Sequence, residues 1–164
     1  MSNPVIIDAA PGQSYADITR EFDAPVSAVF HAHGDADLFR RWIGPYDEST
    51  RITHWDFRTG GGYRYEQDDP DGSTYAFRGV FHAVRENDVI IQTFEWEGAP
   101  DQVSLDIMRF EELPDGRSRI VDHSVFPTVE VLDMMMQYGM EKGMTEGYQK
   151  LDALLAEGSG TTEG

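Results

Sequence analysis

A chain of 164 residues, 40% of them hydrophobic, is long enough for one domain with a proper core and too apolar for wholesale disorder. Its net charge of −17, from 30 acidic against 13 basic residues, opposes phosphate backbones and anionic membranes, so neither nucleic acid nor a membrane is an expected partner. Cysteine is absent, which removes disulfides, thiolate metal sites and cysteine nucleophiles. The first residues lack a basic n-region and a cleavable apolar core, and no apolar run approaches the ~20 residues of a membrane span; a cytoplasmic protein is the expectation.

Residues 1–12 read as a flexible lead-in. SYADITREF (14–22) alternates roughly, with Tyr15, Ile18 and Phe22 as its apolar members, and is the first expected strand. DAPVSAVFHAHG (23–34) predicts a helix with Pro25 in its first turn, Val26, Val29 and Phe30 on one side and Gly34 at its close. A second short helix in DADLFRRWI (35–43) must stop at Gly44-Pro45.

From Thr50 onward the pattern becomes short strands separated by turn chemistry. RITHWDF places Thr53, Trp55 and Phe57 on one side, and Gly60-Gly61-Gly62 reverses the chain into YRYEQ, where Tyr63 and Tyr65 share a face. Asp68 to Gly72 (DDPDG) is a strong turn signal before STYAFRGVFHAV, which carries Tyr75, Phe77, Gly79 and Phe81 on one face. Three more strands follow in VIIQTFEWE, QVSLDIMRFEEL and RSRIVDHSVF. Hairpin spacing without intervening helices predicts antiparallel pairing.

The last segment, Pro127 to Glu157, reads as one long helix with Thr128 as N-cap, Glu130 in the first turn and Gly158 past the end. Met136, Met140, Met144, Leu151 and Leu155 recur at helical steps with Tyr148 on the shoulder. Gly139, Gly143 and Gly147 interrupt that stripe, although a glycine in a helix interior costs about 1 kcal/mol against alanine. Either another surface comes very close there, or space is left open. Methionines, unbranched and polarizable, suit the lining of such a space. Residues 158–164 read as a disordered tail. The whole is an α+β chain: one domain over residues 13–157, with about seven strands, two short helices after the first, and a long C-terminal helix.

Several motif-like groups fail on geometry. His31 and His33, two apart on a helix, point about 200° from each other and cannot share an ion; they read as solvated helix-end residues. Asp69 to Gly72 lacks the bidentate glutamate of a calcium loop, and the triple glycine lacks both the spacing and the following helix of a phosphate loop. Asp122, His123 and Ser124 alternate faces along one strand and cannot form a triad alone. No metal or cofactor is expected. Acid–base chemistry would rest on His123, Asp122 or Asp133, if His123 pointed inward beside Asp133 at the start of the helix.

The phrases ITREFDAP (18–25), LFRRWIGP (38–45), RTGGGYRY (58–65), DPDGSTYAFRGVF (69–81) and FP…YGMEKGM (126–144), in this order and spacing, resemble the START-like (SRPBCC, birch-allergen-like) superfamily. Within it the chain is most similar to the domain of the activator of the heat-shock protein 90 ATPase. The resemblance implies a helix-grip fold, a curved antiparallel sheet around the C-terminal helix with a cavity between them. It leaves open ligand carriage, cyclase, aromatase or hydrolase activity, and co-chaperone-like protein interaction. The chain departs from the family pattern at Trp42-Ile43, where paired tryptophans are common, and at Met144, where an aromatic is common.

The expected function is binding of a small hydrophobic or aromatic molecule under the C-terminal helix. Trp42, Trp55, Tyr63, Tyr65, Phe77, Phe81, Met136, Met140, Gly143 and Met144 are the expected ligand-binding residues. Pairing of two copies as a homodimer stays open.

Overall fold

Among the described residues, alternating apolar residues build eight strands in one curved antiparallel sheet. The computed structural model describes residues 3–161. The strands are β1 (Val5–Asp8), β2 (Tyr15–Phe22), β3 (Ser49–Trp55), β4 (Gly62–Asp68), β5 (Thr74–Arg85), β6 (Val89–Trp96), β7 (Ser104–Glu112) and β8 (Ser118–Val125). Their spatial order is β1-β2-β8-β7-β6-β5-β4-β3. From β3 to β8 each strand pairs with its neighbour in sequence, as hairpin spacing predicts, and β2 then lies against β8. Two short helices, α1 (Val26–Gly34) and α2 (Ala36–Trp42), carry the chain from β2 to the far edge at β3.

The eighth strand corrects the expected lead-in. Residues 5–8 pair with Asp17 to Arg20 along the free edge of β2, which gives their backbone N–H and C=O groups partners they would otherwise find only in water.

Register shifts between Ile52 and His54 and between Phe81 and Ala83 bend the sheet. The first also overturns the expected face of Thr53. An extra residue at the bulge reverses parity, so Thr53 is exposed while Ile52 and Trp55 pack on the core.

The C-terminal segment is two helices rather than one: α3 (Val129–Gln137) and α4 (Met140–Thr161). Thr128 does cap the first, its hydroxyl accepting from Val131 N at 3.1 Å. The break comes at Gly139, whose φ of +90° is left-handed and closed to most residues. At the other end α4 continues through Gly158 to Thr161, so the expected tail is helical over 158–161, and 162–164 lie outside the described residues. No helix among the described residues is long and apolar enough to cross a membrane.

Inside the curve, the inward residues of β2, β7 and β8 meet α1 and the C-terminal half of α4. Phe22, Val29, Phe30, Ile120 and Leu151 are buried together there; each such side chain removed from water contributes about 1.5–3 kcal/mol. Arg20 shares this interior. Its guanidinium is closed off from solvent and donates to both carboxylate oxygens of Asp152 on α4, at 2.8 and 2.7 Å. A smaller cluster of Ala16, Ile18, Phe126, Val131 and Leu132 anchors α3.

Candidate functional site

Toward the other end of the sheet the interior is not filled. A cavity of about 490 Å³ lies between the sheet and the start of α4, within the range of small-molecule sites. One wall is aromatic: Trp55, Tyr63, Tyr65, Phe77 and Phe81, from β3, β4 and β5. The opposite side joins Trp42 of α2 to Tyr148 of α4, their rings stacked with centroids 5.7 Å apart. Met135, Met140, Gly143 and Met144 roof it, and Tyr138 at the helix break closes the outer end against Trp96.

The three glycines of the roof have three different causes. Gly139 breaks the helix. A Cβ on Gly147 would meet the backbone oxygen of Trp42 at 3.0 Å and the nitrogen of Gly44 at 3.2 Å, so here the helix must approach another backbone closely. Lys150 Nζ, donating to the Pro45 oxygen at 3.2 Å, and Glu146, accepting from Tyr46 N at 2.9 Å, tie down that contact. A Cβ on Gly143 would meet nothing within 4 Å, and this residue lines the cavity.

The floor is polar. Ser104 and Asp106 on β7, Asp122 and Ser124 on β8 and Gln92 on β6 point into the hollow. Asp106 lies opposite Ser124 in the ladder, and Asp122 sits two residues away on the same face of β8. Burial pushes Asp122 well above the ordinary carboxylate range, and the neighbouring Asp106 charge adds to the rise. Burial also raises Asp106. Two neighbouring buried carboxyls resist being ionised together. Around them the Tyr63, Tyr65 and Tyr148 hydroxyls keep their protons, their titration pushed up chiefly by burial. Tyr63 donates to the Thr93 oxygen at 2.7 Å and accepts from Gln92 Nε2 at 3.3 Å.

His33 also lines the cavity and is buried, against the expectation of a solvated helix end. It falls seven residues after Val26 on the buried face of α1. Its Nδ1 lies 2.8 Å from the Val29 oxygen, so the proton sits on Nδ1 and Nε2 is a bare acceptor, buried and without a partner. Burial lowers its pKa to about 4.

Trp42, Trp55, Tyr63, Tyr65, Phe77, Phe81, Met140, Gly143 and Met144 all line the cavity. Met136 does not. The break at Gly139 resets the helical phase, so Met136 packs toward the cluster under α3 while Met135 faces the hollow. Of the three acid–base candidates only Asp122 faces inward. His123 is on the outer face of β8, with Nδ1 2.7 Å from Asp17 Oδ1, and Asp133 is exposed on α3. The expected histidine–carboxylate pair is therefore not assembled inside. The sequence reading passes over Asp106 and puts His33 in solvent, although signals for both exist: Asp106 shares strand parity with buried Met108 and Phe110, and His33 continues the Val26, Val29, Phe30 stripe. Among the described residues no three histidine or carboxylate side chains converge as metal ligands.

The sequence pattern of the family described as Activator of Hsp90 ATPase homolog 1-like protein matches residues 23–156. Among solved structures, a protein from Arthrobacter aurescens is 26% identical with a TM-score of 0.83, covering 93% of this chain and 91% of its own. A Mycobacterium smegmatis protein is likewise 26% identical with a TM-score of 0.83, over 93% and 97% of the two chains. An AHSA1 protein from Silicibacter pomeroyi, 24% identical over 87% and 97%, has a TM-score of 0.70 and shares the fold. No curated protein matches the chain in sequence.

Proposed function

The chain belongs to the family of activator of Hsp90 ATPase homolog 1-like proteins, and we propose that it binds a small hydrophobic or aromatic molecule in the hollow between the sheet and α4. The observation that carries this reading is the cavity of about 490 Å³ with aromatic walls, roofed at Gly143 by a helix position that leaves room for a side chain. A protein-interaction module needs no such space, and a well-packed core closes voids larger than a water molecule because lining atoms lose their dispersion contacts. A cyclase- or hydrolase-type activity through His123, Asp122 or Asp133 lacks its histidine–carboxylate pair, since His123 and Asp133 face away from the hollow and of the three only Asp122 lines it. The reading makes the protein a carrier or sensor of its ligand.

The test is fluorescence of N-phenyl-1-naphthylamine, an uncharged aromatic dye that brightens on leaving water. The parent protein is expected to bind it saturably, with melting temperature rising as dye is added. Gly143→Leu, which puts a side chain into the hollow, is expected to remove both responses while remaining folded. No saturable signal with the parent, or an unchanged signal in a folded Gly143→Leu protein, sinks the reading.

A further inference from the structure

The hollow carries a charge pattern that shape alone does not require. Two carboxyls, Asp106 and Asp122, meet on its floor, and half-buried Glu48 and Asp69 stand on its lining nearer the surface. No lysine or arginine lines it among the described residues. The buried cation closest in kind, Arg20, is engaged by Asp152 at 2.7 Å and lies outside the lining.

Two buried acceptors in this space have no donor from the rest of the protein. Asp122, 6% exposed, lines the hollow with its Oδ1 buried and without a hydrogen-bond partner. His33, 5% exposed, offers the lone pair of Nε2 with no donor opposite. An unmet buried acceptor costs roughly 1–3 kcal/mol, and such groups in a hollow mark where a donor-bearing guest belongs.

We propose that the hollow takes a protonated amine on an aromatic or alicyclic body, its ammonium seated on the Asp106–Asp122 pair and its body against the ring walls. This rests on the carrier reading above and names the head group of the ligand. An ammonium group is a donor only, with several N–H bonds to place, and the floor is rich in acceptors: the two carboxyls, Ser104, Ser124 and the oxygen of Gln92. The lining rings of Tyr63, Tyr65, Trp42 and Tyr148 add polarizable aromatic surface suited to a cationic guest. A carboxylate head group meets the opposite conditions, a second anion beside a buried one with no cation to offset it. The net charge of −17 raises the local concentration of cations and favours their approach.

The experiment uses three matched probes on the full chain, read by calorimetry and melting: 2-(1-naphthyl)ethylamine, 2-(1-naphthyl)ethanol and 1-naphthylacetate. The amine is expected to bind about tenfold or more tightly than the alcohol, and the carboxylate to bind least. Asp106→Asn/Asp122→Asn, close in shape and free of the floor charge, is expected to lose about tenfold in amine affinity while holding the alcohol within about threefold. If that double variant fails to fold, Asp122→Asn alone is measured the same way. Equal or tighter binding of the alcohol by the parent, or undiminished amine affinity in the folded variant, overturns the amine assignment and leaves the carrier reading standing. Failure of all three probes to bind the parent overturns both.

Discussion

The two halves of the interior treat buried charge in opposite ways. Beneath the C-terminal part of α4, Arg20 is fully enclosed and receives a two-point carboxylate partner from Asp152. Beneath the first turns of α4, Asp106 and Asp122 face each other with no cation, beside an unfilled space and a histidine with a free lone pair. The first arrangement offsets most of its desolvation, because an opposite charge and two hydrogen bonds replace water at Nη1 and Nη2, with Nε alone left unpartnered. The second does not, and under the proposed function that is the difference between a structural ion pair and a binding site.

The largest way to disturb this contrast is Asp152→Ala. It strands the Arg20 guanidinium in the packed half, and a loss of roughly 3 kcal/mol is expected, at the lower end for a broken buried pair because Asp152 keeps some solvent contact. Urea unfolding measures it. An effect under 1 kcal/mol removes the claim that this half depends on the pair.

His33 probes the seam between the halves. Its folded pKa of about 4 lies below the ordinary 6.5, so between those values the unfolded chain takes a proton that the folded protein refuses. Its contribution is full above pH 6.5 and is lost as pH falls toward 4, on the order of 3 kcal/mol in all. In His33→Asn, whose amide can still donate to the Val29 oxygen, the slope of stability against pH is expected to flatten across that window. Parallel slopes for the two proteins contradict the assignment.

The smallest test compares neighbouring glycines. Gly147→Ala should cost about 1–2 kcal/mol, since the new methyl meets backbone that cannot step aside. Gly143→Ala should gain up to about 1 kcal/mol, from helix propensity in open space. Thermal melts of the pair give opposite signs if one glycine serves contact and the other vacancy.

What the sequence made legible was the local part of the problem. Strand parity put Tyr63 and Tyr65 on one face because alternation is decided residue by residue, and Thr128 announced a helix start because its cap bond spans three residues. The order of elements and the grip of sheet on helix were legible for the same reason, with the family phrases adding the fold name. What failed depended on what lies across the molecule. Thr53 changed sides through a bulge set by β4, and Val5 to Asp8 became a strand only because β2 offered an edge. The i+4 glycines looked alike in sequence, and one of them broke the helix and turned Met136 away from the hollow. Asp106 escaped notice because a polar residue in a strand is normally read as outward; its neighbours Met108 and Phe110 carried the correction.

The ladder between β7 and β8 has a further bearing on selectivity. Asp106 and Asp122 stand two rungs of backbone hydrogen bonds from each other's register partners, so their spacing belongs to the stiffest part of the molecule. The methionines overhead, Met135, Met140 and Met144, are joined through an elbow at Gly139 and can change rotamer without breaking any strand pairing. If the proposed guest binds there, fixed anchorage below and a compliant canopy above would make the hollow strict about one end of it and permissive about the outline of the other.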